Sequence, residues 1–431
     1  DSPAYNKFFI TQLTELLSEY GDVDEVWFDG ANGEGPNGRV QVYDWDSILS
    51  VIRSLQPHAV TAIMGDDVRW VGNESGKGRE TEWSATVLTP SSYSRADKNN
   101  GQLNINNLSE DLGGRDMIEK ASEMFWYPSE VDVSIRSGWF YTAAQDSKVK
   151  SLKELVDIYF QSVGRNSVLL LNVPPDQRGH IHEADSARLQ EMHEYLSRTF
   201  SDDRVKRGGV PWVSKQGAER VFKLKKGSRV NVVMLQEDIR RGQRVESFVV
   251  EGLGAGGWKV LCEGTTIGHK RLVRFEESEL KAIKVRVTES RTEAHLCRVG
   301  AFHAPAIPDD AGEACWNDIP RENWTIENGQ PLALNLGKEV TLAAFTYAPL
   351  KSRDGEEMAF RFNFAVSEDG EKWRTVIKDG EFSNIMHNPA PMRITLESPA
   401  ACRLIRIDAT TLQGKPAEIL PEEIGVSLSG R

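Results

Sequence analysis

The stretch "VWFDGANGEG", residues 26–35, climbs through Val26, Trp27 and Phe28 and ends on one carboxylate, Asp29, before Gly30. A charge at the tip of an apolar strand is either half of an Asp-Gly turn or a group placed for chemistry. A second acidic set follows: Asp66 and Asp67 come directly after "AVTAIMG", and the segment "DDVRWVGNESGKGRETEW" carries Glu74, Glu80 and Glu82 among Arg69, Trp70 and Trp83. Carboxylates from neighbouring strand ends, set among indoles, suit glycoside hydrolysis. One carboxylate attacks carbon or activates water, the other protonates the departing oxygen, and aromatic rings cover the apolar face of a sugar. Each Trp taken singly is an ordinary core residue, so it is the grouping that favours a sugar site.

The elements that must position these groups read as alternating helix and strand. "YNKFFITQLTELLSEYG" puts Phe9, Leu13, Leu16, Leu17 and Tyr20 on one helical face, with Gly21 as a left-handed stop. "VDEVWFDG" follows as a strand. "WDSILSVIRSLQP" has helical spacing through Trp45, Ile48, Leu49, Ile52 and Leu55 and is closed by Pro57. "AVTAIMG", "TEWSATV", "GWFYT" and "NSVLLLNV" are further strand candidates. A helix in "SLKELVDIYFQSVG" begins with a capping box from Ser151 to Glu154, and a last helix spans about 183–199. Apolar strands alternating with helices predict a parallel sheet covered by helices, doubly wound or closed into a barrel. In such sheets functional groups gather at the carboxyl ends of strands, where Asp29 falls.

A chain of 431 residues is too long for one core and should form two or three domains. Its 39% apolar content, without an uninterrupted run near twenty, reads as globular with no spanning helix. A net charge of -12 disfavours nucleic acid and anionic membrane surfaces as partners. Cys262, Cys297, Cys315 and Cys402 stand far apart with no C-x-x-C, which argues against a zinc site, and each reads as a small buried hydrophobe. No metal and no cofactor is expected.

"LTELLSEYGDVDEVWFDG", "SLQPHAVTAIMGDDVRWVGNESG", "VDVSIRSGWFY" and "SVGRNSVLLLNVPPDQRGHI" together resemble the catalytic domain of the alpha-L-fucosidases, glycoside hydrolase family 29, over most of residues 5–200. The "VRWVGNESG" loop is similar to the branch acting on alpha-1,3 and alpha-1,4 fucosyl linkages. The resemblance implies a retaining exo-fucosidase acting on fucosylated oligosaccharides or glycoconjugates. It makes Asp29 the nucleophile, Glu74 the acid/base, and Trp27, Trp139 and Arg69 sugar contacts, Arg69 lying in a loop that differs between branches. It also implies a (β/α)8-type barrel whose first strands, with the His residues that grip fucose, lie in an upstream segment outside this chain, in the same polypeptide or a separate fragment. A periplasmic or secreted location follows from the same likeness. Gly72, Gly76 and Gly78 give the loop of Glu74 little intrinsic stiffness, so it is expected to swing when no sugar is bound.

Beyond about residue 204 the chain reads as short strands. Segments such as "ERVFKLKKG", "RVNVVMLQED", "HKRLVRFEE" and "AIKVRVTES" at roughly ten-residue spacing predict an antiparallel sandwich. A Pro-rich linker, "HAPAIPDDAG", precedes a region in which "VSEDGEKWRTV" resembles a discoidin-like, coagulation-factor type C sandwich of the kind that serves as a carbohydrate-binding module. His387 and Arg361 are candidate lining residues there, and a spacer without ligand is the alternative. The expected fold class is α/β plus all-β. A catalytic barrel part spans 1–203, a β-sandwich 204–304 and a discoidin-like β-sandwich 312–431. Another barrel glycosidase and a non-catalytic carbohydrate-binding protein are the competing functions.

Overall fold

The structure, a computed structural model, describes residues 2–29, 40–206, 211–307, 318–328, 330–350, 357–382, 385–386 and 391–429. Gly30, Cys315, His387 and the second half of the expected 303–312 linker lie outside these described residues. Two compact units are present. The first comprises Asp1–Asp132, Val156–Leu170 and His193–Pro305, and the second Val133–Leu155, Leu171–Met192 and Ala306–Arg431.

Helix α1 (Ser2–Glu19) leads into strand β1 (Glu25–Phe28), and α2 (Trp45–Leu55) into β2 (Val60–Ile63). Asp44 caps α2 by accepting the Ser47 N–H, and the helix stops two residues before Pro57, whose ring disfavours helical backbone in the residue ahead of it. The Gln56 side chain then joins three elements. It donates to the Leu17 and Gly21 carbonyls at 2.8 and 2.9 Å, groups left over where α1 ends, and accepts the Val23 N–H at 3.1 Å. Leu13, Leu17, Phe28, Ile48, Ile52 and Ala59 form one buried cluster with Phe9 and Val26 against it. Leu16 and Tyr20, expected on the inner face of α1, are instead 56% and 71% exposed, so the buried stripe is the narrower Phe9, Leu13, Leu17 line.

Strand β1 pairs parallel with β2 from Glu25↔Val60 to Phe28↔Ile63. A parallel bridge, Ala62↔Val68, continues to β3 (Arg69–Trp70), which pairs parallel with β6 (Ser129–Ser134), and β7 (Val168–Asn172) lies beside β6. Two expected strands differ. "GWFYT" is bends and loop, and the strand is the "SEVDVS" that precedes it. "TEWSATV" yields only β4 (Ala85–Thr86), paired antiparallel with β5 (Phe125–Trp126). The physical reason is that its backbone is already engaged. Gln243 donates to the Glu82 carbonyl at 2.8 Å and accepts the Ser84 N–H at 2.7 Å, while Thr266 accepts the Glu82 N–H at 3.0 Å and Thr265 donates to the Glu80 carbonyl at 2.8 Å. Short helices α3 (Ala96–Leu103) and α4 (Arg115–Ile118) follow, then α5 (Leu152–Gln161) and α6 (Glu183–Phe200). The Ser151 capping box is formed: the Ser151 N–H and Oγ reach Glu154 Oε2 at 2.8 and 2.9 Å, and the Glu154 N–H reaches Ser151 Oγ at 3.2 Å.

The next sheet, still in the first unit, holds β8 (Trp212–Ser214), β9 (Glu219–Glu237), β10 (Val245–Gly254), β11 (Gly257–Gly264), β12 (Arg271–Ser290) and β13 (Ala294–Phe302) in the order β11-β10-β12-β9-β13-β8. Strands expected to be separate have merged. "ERVFKLKKG" and "RVNVVMLQED" are one strand, β9, and "HKRLVRFEE" and "AIKVRVTES" are another, β12. Register shifts at Arg274/Ser278 and Leu280/Ala282 bend the pair where turns were expected, since an irregular extra residue bends a strand without ending it.

In the second unit β14 (Thr325–Asn328), β15 (Leu332–Tyr347), β16 (Arg361–Ser367), β17 (Arg374–Glu381), β18 (Met392–Thr410) and β19 (Ile424–Leu428) form a sheet ordered β14-β15-β18-β16-β17, with β19 on β15. Phe345 stacks on Phe364, and Phe362 on Phe382, each at 4.2 Å between ring centres. "VSEDGEKWRTV" is the β16–β17 turn: Asp369 Oδ1 accepts the Glu371 and Lys372 N–H groups at 2.9 Å, and Trp373 donates to the Gly370 carbonyl at 3.1 Å. Cys262, Cys297 and Cys402 are free thiols, of which only Cys402 is fully buried.

Arg69 and Glu82 form an ion pair in which each side chain is 1% exposed. Removing one partner leaves the other charge buried. Arg69→Ala is therefore expected to cost roughly 3–5 kcal/mol in denaturant unfolding, with the Arg69→Met/Glu82→Leu double variant recovering much of it. Unchanged stability in the single variant would show that the pair is not needed.

Candidate functional site

Alternation along β1 sorts its side chains onto two faces. Val26 and Phe28 turn to the helices, Phe28 meeting Trp45 edge to face at 5.2 Å. Glu25, Trp27 and, at the carboxyl end, Asp29 share the opposite face. Trp27 is 41% exposed and Asp29 is exposed. Ile63, the register partner of Phe28, has a φ of +67°, a conformation a β-branched residue rarely adopts and one that concentrates near functional sites.

The loop after β3 carries Glu74 between Gly72 and Gly76. Both glycines have positive φ, +94° and +78°, and a Cβ would lie 2.6 Å from the Asn107 carbonyl oxygen at the first and 2.8 Å from Ile158 Cγ1 at the second. These glycines let the loop pack closely rather than loosen it. Asn73 adds internal ties, accepting the Ser75 N–H at 3.1 Å and the Ser75 hydroxyl at 2.6 Å, and donating to the Lys77 carbonyl at 3.0 Å. The expected floppiness of this loop thus has a physical counterweight. Glu74 is half-buried, and its Oε2 is a buried oxygen without a hydrogen-bond donor among the described residues.

The other acids of this region are engaged elsewhere. Glu80 pairs with Arg165 and Arg271. Glu82 pairs with Arg69 and, at 3.6 Å, Arg79. Asp66 and Asp67 both pair with Arg53, at 2.8 and 2.5 Å, and fasten the end of β2 through Thr61. Trp83 is a core residue, donating to Asp111 at 2.7 Å beneath the Arg291 guanidinium. Arg69, expected to touch sugar, is interior. Besides Glu82 it donates to the Tyr127 carbonyl at 3.1 Å, because a buried guanidinium must satisfy its N–H groups within the fold.

Two acids that the sequence reading passed over complete the first unit's site. Glu130 and Asp132, at alternate positions of β6, are 1% and 4% exposed. Each accepts an indole N–H at 2.8 Å, Glu130 from Trp27 and Asp132 from Trp70. Burial, then the negative charges of Glu74 and Asp29, push the Asp132 carboxyl up to about 6 against the opposing pull of the Trp70 hydrogen bond. Glu74 and Asp29 therefore each lie within electrostatic reach of Asp132. Between Trp27 and Glu130 lie three strand spacings, about 14 Å on a flat sheet, so this face is concave enough to bring β1 and β6 together. The available signal was the pair of acids in "SEVDVS", a strand pattern in which buried carboxylates need partners.

In the second unit, Trp139 is half-buried in the loop after β6, its carbonyl accepting from Asn172 at 3.0 Å. That loop is anchored by the fully buried Arg136, which pairs with Asp185 at 2.6 Å and Asp146 at 3.0 Å beneath Tyr141. Arg361 is exposed on β16. Among the described residues no group of three or more His, Cys, Asp or Glu is placed to hold a metal, and no helix is long and apolar enough to cross a membrane.

Residues 1–199 match the alpha-L-fucosidase family model, and residues 300–420 the F5/8 type C domain model. A candidate alpha-L-fucosidase from Bacteroides ovatus, solved as a crystal structure, is 56% identical with a TM-score of 0.72, the match covering 99% of this chain and 74% of that one. A glycoside hydrolase 29 family member from an unknown rumen bacterium is 30% identical with a TM-score of 0.61, covering 99% and 76%. A candidate alpha-L-fucosidase 1 of Oryza sativa subsp. japonica is 36% identical over 340 residues, 70% of this chain and 60% of that protein. The chain spans about three fifths of the length of the curated relatives it matches. By these matches, and by the carboxylate-bearing strand ends that the first of them encloses, the chain belongs to the alpha-L-fucosidase family, glycoside hydrolase family 29.

Proposed function

We propose that the protein is a retaining exo-alpha-L-fucosidase releasing terminal alpha-1,3- or alpha-1,4-linked fucose from glycans. The observation that carries this reading is the sorting of acids around Asp29: Glu80 and Glu82 are tied up in arginine pairs, whereas Glu74 keeps a buried oxygen without a donor among the described residues and, with Asp29, raises the Asp132 carboxyl. In the proposed cycle a carboxylate oxygen of Asp29 attacks the anomeric carbon while the bond to the aglycone oxygen breaks and Glu74 gives that oxygen its proton. Water then attacks the same carbon, Glu74 takes a proton from it, and the bond to Asp29 breaks, giving alpha-L-fucose. Trp27 lies along the strand from Asp29 and serves as a sugar contact, and the family likeness gives Trp139 the same part. Arg69 is not assigned one.

In this reading the parallel strands within residues 1–203 belong to a (β/α)8-type barrel, which the concave contact of β1 with β6 supports. Residues 204–304 form a sandwich, and residues 312–431 serve as a discoidin-like carbohydrate-binding module. A periplasmic or secreted location fits glycan substrates.

Asp29→Asn should keep the fold and lower turnover at least about a thousandfold, with azide restoring reaction as an inverted fucosyl azide. Proton NMR of the first-formed sugar tests the stereochemistry: alpha-L-fucose first is expected, and beta-L-fucose first would refute the two-step cycle. Glu74→Ala should damage hydrolysis of natural glycans far more than of an activated aryl fucoside, because a general acid matters most when the leaving group is poor. If Glu80→Ala or Glu82→Ala shows that pattern and Glu74→Ala does not, the acid has been misassigned.

A further inference from the structure

Glu130 lies on β6 and is 1% exposed, yet its partners come from β1: Trp27 donates its indole N–H to Oε1 at 2.8 Å, and Glu25 presents its carboxyl to the same group. Glu25 Oε1 and Glu130 Oε2 are both buried oxygens without a donor among the described residues. Two carboxylates in contact cannot both keep their charge at modest energy, whereas one proton shared between them gives each oxygen a partner. Glu25, Trp27 and Asp29 occupy alternate positions on one face of β1, so whatever holds Glu25 and the Trp27 ring also sets the floor beside Asp29.

We infer that Glu130 is a positioning residue for the fucose site: through a hydrogen shared with Glu25 and the bond from Trp27, it fixes the indole next to Asp29. The inference rests on the reading of Asp29 and Trp27 given above. The groups acting on Glu130 are few. Glu25 faces it from β1 and Asp132 lies two positions along β6. Neighbouring β3 brings Arg69, whose guanidinium is turned to Glu82 and the Tyr127 carbonyl, and β7 carries no charged residue. Burial first, and then Glu25, push the Glu130 carboxyl up to about 8, with Trp27 pulling the other way. A raised pKa in the folded state means that the proton-linked stabilisation is complete below the ordinary glutamate range and is lost as pH rises through about 8. Above that range Glu130 carries its charge against the adjoining Glu25 carboxyl, and their repulsion displaces the acceptor that fixes the Trp27 ring.

The test uses the full-length protein with an aryl fucoside, following KM and kcat separately against pH. Glu130→Gln keeps an acceptor for Trp27 and supplies a fixed donor to Glu25. It should hold KM within about threefold of wild type and abolish the alkaline rise of KM, while any limb in kcat set by the general acid persists. Glu130→Leu removes the acceptor and should raise KM about tenfold or more with a smaller change in kcat, the scale of one lost hydrogen bond. A folded Glu130→Leu variant with wild-type KM, or a Glu130→Gln variant that keeps the alkaline rise of KM, would overturn the inference. If Glu130→Leu does not fold, the Glu130→Gln profile decides alone. Failure of the fucosidase reading itself would look different, as no fucose release by wild type or full turnover by Asp29→Asn.

Discussion

A carboxyl group taken out of water must find an opposite charge, a hydrogen-bond donor or a proton, and the first unit of this protein is organised by how each of its acids meets that demand. Glu80, Glu82, Asp66 and Asp67 take arginines, and in doing so they fasten loops and strand ends. Glu130 and Asp132 take indole N–H groups, which are too weak to hold a full buried charge and so leave both carboxyls biased toward the protonated form. Glu74, on a loop packed through two left-handed glycines, keeps an oxygen with no donor among the described residues. The different settings of these acids follow from their partners, not from their residue type.

Much of the scaffold was legible because its signals are local. The helix over "WDSILSVIRSL", the Ser151 capping box and the strand ending on Asp29 depend on spacing within a few residues, and the structure has each of them. What could not be read depends on partners far along the chain. "TEWSATV" has a strand's composition, but its backbone is claimed by Gln243, Thr265 and Thr266. Arg69 and Trp83 look like site residues beside Glu74, yet a buried acid and a distant arginine draw them inward. "GWFYT" is aromatic enough for a strand, but the ladder runs through the less conspicuous "SEVDVS". In each of these cases composition was a poor guide to pairing.

The same distinction explains the all-β region. The strand-like segments of β9 and β12 were found, but their spacing does not distinguish two short strands from one long strand that bends, because a bulge preserves the apolar pattern on either side of itself. The acids of β6 were missed for a related reason. Glu and Asp in a strand suggest a solvent face, and only the arrival of Trp27 and Trp70 from other strands makes an interior position tolerable.

The side chains that claim residues 80–84 have a bearing on how such enzymes can be rearranged. Arg271 on β12, and Gln243, Thr265, Thr266 and Arg291 on the connections of the antiparallel sheet, bond or cover a segment only a few residues beyond Glu74. The boundary between the two is thus a boundary in chain order but not in bonding. A modular exchange that grafts another accessory sheet after residue 203 would carry over Asp29 and Glu74 intact and still orphan the Glu82 and Ser84 N–H groups and remove one of the two arginines that pair with Glu80. Recombination in this architecture is constrained to move the sheet and the helical part as one inherited block.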